Sequence, residues 1–187
     1  MDKRELRREV KRELESLNKA NLETHRELSL QISKHLASFI QNSSSTWILG
    51  GFAPLPEEPI WDLELDQNFK ERLAYPGDRG EGMSFFHCSF DELVESREFG
   101  VKILTPPPEA KEVVPDMLLV PGLAFSKKGE RLGRGAGYFD RYLENFKGTR
   151  VGVCFELQLR GQLPSEEHDQ KVDVVVTEAG IYNRSSC

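Results

Sequence analysis

The chain has 187 residues, 38% of them hydrophobic and 30% charged, with a formal net charge of −6. That length fits one domain over residues 1–187, able to bury roughly 70% of its unfolded surface without disulfide staples. The acidic balance gives no general attraction for phosphate backbones, so broad nucleic-acid binding is not expected and any anion site must be local.

No apolar run approaches the ~18 residues of a membrane span. The opening segment alternates Lys and Arg with Glu, unlike the apolar heart of a secretory signal. A soluble, cytoplasmic globular protein, with neither nucleic acid nor membrane as partner, is the expectation. The three cysteines, Cys88, Cys154 and Cys187, are odd in number and form no CxxC pair. They argue against a disulfide framework or a thiolate zinc site, and Cys88 and Cys154 read as core residues. The four histidines show no HExxH spacing.

In chain order, residues 3–40 read as helix. Leu6, Val10, Leu14 and Leu17 recur at three- and four-residue spacing, as do Leu28, Ile32, Leu36 and Ile40, with a break at Asn18–Asn21. After a polar stop at Gln41–Thr46, Trp47–Leu49 reads as a short buried strand ended by Gly50-Gly51. A proline-rich loop follows, then a helix around Leu63–Leu73. Ser84–Phe90 alternates like a strand, and Asp91–Glu95 reads as a short helix. Thr105–Pro108 is a rigid linker. Met117–Val120, Val151–Phe155 and Val172–Val176 are β-branched runs typical of buried parallel strands. Tyr138–Phe146 is helical in composition and completes a βαβ unit with the first two runs. The fold class is α/β: a three-layer, mostly parallel sheet with helices on both faces and an N-terminal helical segment.

The segment from Val120 to Asp140 carries most of the chemistry. Gly133, Gly135 and Gly137 alternate and lead into the helix. Glycines permit positive φ and close backbone approach, so several N–H groups can converge on phosphate oxygens at a helix start. Arg131 and Arg134 add fixed charge, with Lys127 and Lys128 nearby. This is neither GxxxxGK nor GxGxxG. A plain flexible turn has the same glycines but no need of two arginines. Asp140 either holds Mg²⁺ bridged to nucleotide phosphates or stabilises the helix dipole.

The stretch VPGLAFSKKGERLGRGAGYFDRYL resembles the signature of the 5-formyltetrahydrofolate cyclo-ligase family, also called methenyltetrahydrofolate synthetases. KRELRREVKREL resembles the family's Lys-x-x-x-Arg opening helix, and QLPSEEHDQKVDVVVTE its terminal loop and last strand. FAPLPEEPIW is similar to the segment carrying a folate-contacting glutamate. The resemblance is strong over residues 117–178 and loose over 60–110. Three positions depart from the family pattern: Phe139 stands where a second Tyr is common, Thr105 where Glu precedes Pro, and Gly77 where Arg is usual.

The resemblance implies conversion of 5-formyltetrahydrofolate and ATP to 5,10-methenyltetrahydrofolate, ADP and phosphate, with Mg²⁺. A formamide carbonyl is a poor electrophile. Phosphorylation of its oxygen makes a leaving group, and folate N10 then closes the ring. The same resemblance implies that Lys3 and Arg7 reach ATP phosphates and that Arg131, Leu132, Gly133, Arg134, Gly135, Ala136, Gly137, Tyr138 and Phe139 form the nucleotide loop. Arg134 to Tyr138 also face the formyl group, with Arg134, Tyr138 and Lys3 in catalytic roles. Asp140 and Asp169 hold Mg²⁺, while Ala53 and Glu58 line the folate pocket. Plainer readings stand beside these: Lys3 and Arg7 as solvated helix charges, Glu58 as a loop carboxylate, Asp169 as a turn cap. The alternatives in function are a non-catalytic nucleotide or anion binder on the same fold, and an ATP-dependent enzyme with another formyl or amide substrate.

Overall fold

Apolar residues at three- and four-residue spacing coil the opening segment into helices whose buried stripe sets what the adjacent stripe faces. A computed structural model describes residues 2–20, 22–41, 46–98, 101–166 and 168–184. Helix α1 (Lys3–Ala20) buries Leu6, Val10 and Leu14, and α2 (Leu22–Ile40) buries Ile32, Leu36 and Ile40. Full burial of such a side chain is worth about 1.5–3 kcal/mol. Three of them lock the rotation of α1, and with it the direction of Lys3 and Arg7. The expected break falls at the α1–α2 junction. Asn21, residues 42–45 of the polar stop and Cys187 lie outside the described residues.

The next elements are β1 (Leu49–Gly50), the single turn α3 (Gln67–Lys70), β2 (Leu73–Asp78), β3 (Met83–His87), β4 (Val94–Glu98), β5 (Val101–Thr105) and β6 (Lys111–Val113). They are followed by β7 (Met117–Val120), β8 (Ala124–Phe125), β9 (Arg131–Leu132), α4 (Tyr138–Asn145), β10 (Thr149–Val153), β11 (Val174–Thr177) and β12 (Gly180–Asn183). One eight-stranded sheet has the order β12-β11-β10-β7-β1-β2-β3-β6, and β4-β5 and β8-β9 form separate two-stranded sheets. The run β11-β10-β7-β1-β2 is parallel, and β12, β3 and β6 are antiparallel additions.

Alternate residues of a strand point to opposite faces, and the core follows that parity. Met117, Leu119, Val151, Val153, Val174 and Val176 pack in one cluster with the apolar stripes of α1 and α2. Leu118, Val120 and Val175 pack in another with Leu143 and Phe146 from the α4 side. Helices therefore cover both faces. Cys88 and Cys154 are both buried, as expected, and burial pushes both thiols up.

Three sequence expectations are corrected here. The helix expected over Leu63–Leu73 is one turn, Gln67–Lys70, capped by Asp66, and Leu73 instead begins β2 beside β1. The preceding segment takes its backbone partners from α2: Ile60 N–H donates to Ser29 Oγ at 3.2 Å and Glu64 N–H to Ser33 Oγ at 2.7 Å. Amides already satisfied this way have no need of helical bonds. The helix expected at Asp91–Glu95 is a 3₁₀ turn at Phe90–Glu92, after which Val94 enters the β4–β5 hairpin. The strand expected at Trp47–Leu49 lies at Leu49–Gly50, continued by a bond from Gly51 N–H to Ala74 O at 2.8 Å. Gly51 is required there, since a Cβ would sit 2.5 Å from the Trp61 ring.

The chain runs from β1 outward to β2 and later returns to β7 on the other side of β1. Loops leaving the carboxyl ends of β1 and β7 therefore diverge, and a crevice opens between them, the usual ligand position in an open α/β sheet.

Candidate active site

The loop between β9 and α4 is shaped by its glycines. Gly135 has φ +111° and Gly137 φ +69°, a region that side-chain-bearing residues rarely adopt. Gly137 is also the N-cap of α4, so the helix start points into the loop. The buried stripe of α1 aims its neighbouring stripe here. Arg7 Nε donates to Gly133 O at 2.9 Å, and a Cβ on Gly135 would lie 3.7 Å from Arg7 Cζ. One turn earlier, Lys3 Nζ is 2.6 Å from Asp169 Oδ2 and 3.3 Å from Glu166 Oε1. Lys3, Arg7, Gly133, Gly135, Asp140 and Asp169 line one polar cleft of ≈ 580 Å³. Leu132 and Gly137 border it too, the Leu132 side chain being buried beneath. Ala136 borders a second polar hollow on the α4 side, again with Asp140.

Arg131 lies under the loop rather than in the cleft. Its side chain is 3% exposed, Nη2 is 2.6 Å from Asp140 Oδ1, and Nη1 donates to Pro121 O at 3.2 Å. The geometry gives Arg131 a supporting part, setting Asp140 at the first turn of α4. Phe139 lies 6.0 Å from the Arg131 guanidinium, ring centre to Cζ.

A second cleft of ≈ 490 Å³ opens on the other side of the loop and is mostly apolar. The segment after β1 supplies Phe52, Ala53, Leu55 and Glu58, while Pro121 follows β7. The β2–β3 and β4–β5 hairpins supply Gly77, Met83, Ile103 and Thr105. Arg134, Tyr138 and Phe139 complete it from the glycine loop and α4. Glu58 is 5% exposed, and its Oε1 accepts from Arg134 Nε at 3.1 Å and Nη2 at 2.7 Å. Arg134 Nη2 also donates to Glu57 Oε1 at 3.0 Å. Burial works against the charged guanidinium, but Glu58 and Glu57 outweigh it and hold Arg134 firmly protonated.

The sequence-derived residues thus separate onto two sides of one loop. Lys3, Arg7, Asp140 and Asp169 gather on the polar side; Ala53, Glu58, Arg134, Tyr138 and Phe139 gather on the apolar side. Glu57 was missed by sequence reasoning. Its neighbour Glu58 carried the motif, and no spacing rule marks a second carboxylate for the same arginine.

The carboxylates suit a hard cation shared with phosphate oxygens. Burial opposes the Asp169 carboxylate, yet the Lys3 bond and the Glu166 N–H outweigh it and keep its pKa below the usual range. The bonds to Lys3 and Glu166 use Oδ2 of Asp169, and those to Arg131 and Gln170 use Oδ1 of Asp140. Each residue keeps a second oxygen with no hydrogen bond among the described residues. Magnesium needs only one or two protein carboxylates and keeps waters, so the donor set fits.

Comparison with known proteins places the chain in a family and a fold. The model of the 5-formyltetrahydrofolate cyclo-ligase family matches residues 1–178. A relative from Escherichia coli K12, named 5-formyltetrahydrofolate cyclo-ligase, is 38% identical over 117 residues, 59% of this chain and 63% of the relative. A mouse relative of the same name is 44% identical over 69 residues, 34% of each chain. The matched stretches thus span less than two thirds of these relatives' length. The solution structure of Aquifex aeolicus 5,10-methenyltetrahydrofolate synthetase superposes with a TM-score of 0.79 at 31% identity, covering 98% of this chain and 93% of that one. A Mycoplasma pneumoniae 5,10-methenyltetrahydrofolate synthetase shares the fold, with a TM-score of 0.71 at 20% identity.

Proposed function

The chain belongs to the 5-formyltetrahydrofolate cyclo-ligase family, and on that premise we propose that it converts 5-formyltetrahydrofolate and ATP to 5,10-methenyltetrahydrofolate, ADP and phosphate. One observation supports this reading above the others: a polar, cation-bearing cleft and an apolar cleft share a single wall, the Gly133–Phe139 loop. A phosphoryl donor on one side and a flat heterocyclic acceptor on the other would meet across it.

The residues have work that suits this chemistry. Lys3, Arg7 and the loop N–H groups neutralise and orient the phosphates of ATP. Asp140 and Asp169 would hold Mg²⁺, which supplies further charge neutralisation at those phosphates. Glu58 accepts from pterin N–H groups. Arg134, beside the formyl oxygen, stabilises charge as the γ-phosphoryl group is transferred to it. Tyr138 closes the apolar side against water. Once the formyl oxygen carries phosphate, N10 attacks the same carbon, the C–O bond breaks, phosphate departs with that oxygen, and N10 gives up its proton to the departing phosphate or to water. Alignment and charge stabilisation suffice, with no covalent nucleophile on the protein. Both clefts are built within one chain, in keeping with a monomer.

The test is ADP release by the purified protein with ATP and Mg²⁺. Release that depends on 5-formyltetrahydrofolate supports the reading, and tight ATP binding with no such release contradicts it. A second reading has its own observation: Gly77, Thr105 and Phe139, the three departures from the family pattern, all line the apolar cleft. An ATP-dependent enzyme for a different formyl or amide substrate would show ADP release with that compound and none with 5-formyltetrahydrofolate.

A further inference from the structure

Helix α2 carries a polar stripe inside the protein. His25, Ser29 and Ser33 follow each other at four-residue spacing, on one face of the helix, and are 5%, 0% and 0% exposed. Buried polar groups are costly unless their hydrogen bonds are met, so what lies against the stripe is informative. It is the segment leaving β1, which has neither helix nor strand between Glu58 and Asp66. Ser29 Oγ accepts from Ile60 N–H at 3.2 Å, and Ser33 Oγ accepts from Glu64 N–H at 2.7 Å. The imidazole of His25 lies against the main chain of Glu58, and among the described residues its Nε2 has no partner in hydrogen-bonding geometry.

The contacts follow the same order along both segments: residue 25 faces 58, 29 faces 60 and 33 faces 64. Between the last two, Trp61 is 1% exposed and donates from Nε1 to Phe52 O at 2.9 Å. That bond ties the same segment back to the end of β1. At the start of this irregular segment, next to the apolar cleft, Glu58 N–H donates to Leu55 O at 2.8 Å and its Oε2 accepts from Leu55 N–H at 3.0 Å.

We propose that His25, Ser29 and Ser33 are positioning residues for the apolar cleft, acting through the main chain of residues 58–64 to hold the Glu58 carboxylate against Arg134. The proposal rests on the folate reading of that cleft. None of the three touches the substrate. Their effect on binding declines with distance from Glu58, and the polar cleft across the loop is indifferent to them.

The experiment compares the wild type with Ser29→Ala and Ser33→Ala in the full chain, measuring Kd for 5-formyltetrahydrofolate and for ATP by calorimetry. Amide exchange at Ile60 and Glu64 and the melting temperature are followed alongside. Loss of one buried acceptor at Ser29 is expected to weaken folate binding about five- to tenfold. Ser33→Ala should weaken it about threefold or less, with ATP binding within about twofold of wild type in both. Ile60 exchange should rise in Ser29→Ala and Glu64 exchange in Ser33→Ala. Should Ser29→Ala not fold, His25→Leu carries the comparison, with the same split between the two ligands. A lower melting temperature with unchanged folate affinity would overturn the proposal, leaving the stripe purely structural. Equal weakening of both ligands would overturn it too. Failure of the wild type itself to bind folate would overturn the reading of the cleft and the positioning role with it, and is recognised because the signal is missing before any substitution.

Discussion

Arg134 grips a single oxygen of Glu58 with two nitrogens, at 3.1 and 2.7 Å, and so joins the glycine loop to the segment that leaves β1. The charge expected at the formyl oxygen and the carboxylate expected at the pterin are one bonded unit. Arg134→Ala should lower turnover on the order of 10²-fold or more, through lost stabilisation of transition-state charge. Steady-state kinetics check this, and a change below threefold would mean the chemistry lies elsewhere.

Groups bonded to each other do not act independently. Glu58→Gln should raise KM for the folate substrate about tenfold and leave KM for ATP within about twofold. Combining it with Arg134→Ala should cost less in kcat/KM than the product of the two single effects. A double-mutant cycle that is strictly multiplicative would show that the bond has no functional consequence.

Asp140 supports the fold as well as facing the polar cleft. Its partner Arg131 is 3% exposed, so Asp140→Asn leaves a buried guanidinium without its counter-ion. The expected loss is on the order of 3 kcal/mol, or about 6–12 °C in melting temperature for a chain of this size. Thermal melting in the absence of nucleotide and magnesium makes the check. An unchanged melting temperature would assign Asp140 to ligand binding alone.

Gly135 has φ +111° and lies against Arg7. Alanine there should cost about 1–3 kcal/mol in backbone strain and weaken ATP far more than folate, because the displaced backbone faces the polar cleft. Separate KM values for the two substrates decide it, and parallel increases would contradict the two-sided arrangement.

Burial pushes the His25 imidazole below its ordinary 6.5, the Glu58 main chain only partly opposing it. The unfolded chain then binds this proton more readily. The stabilisation is fully present above the unfolded value and is lost as pH falls from there through the folded value. Urea denaturation between about pH 7.5 and 5 should show the stability of wild type relative to His25→Leu decreasing as pH falls. Parallel profiles would contradict a neutral buried imidazole.

Much of this was legible in the residues. Met117–Val120 is a strand as read, and α4 ends within one residue of the expectation, because an apolar run and an amphipathic period each allow one solution there. The glycine loop was equally plain, whereas Lys3 and Arg7 stood out only through the family resemblance, their spacing alone fitting solvated helix charges. Less legible was β2, whose Pro76 and Gly77 disguise a strand that pairs with β1 on one side and β3 on the other. The sharing of Arg134 between Glu57 and Glu58 depends on a contact 76 residues apart in sequence, which no local pattern encodes. The same is true of the serine hydroxyls that replace helical bonds in residues 60–64. Arg131 read as a phosphate ligand from its position in the loop; its burial against Asp140 is a tertiary fact.

The most direct measurement is the near-ultraviolet absorbance of the methenyl product, followed with 5-formyltetrahydrofolate, Mg²⁺ and protein, with and without ATP. A rise that requires ATP and is lost in Arg134→Ala is the result predicted by a phosphoryl donor and a folate meeting across the Gly133–Phe139 loop. No rise, from protein shown by calorimetry to bind ATP, would contradict that central claim.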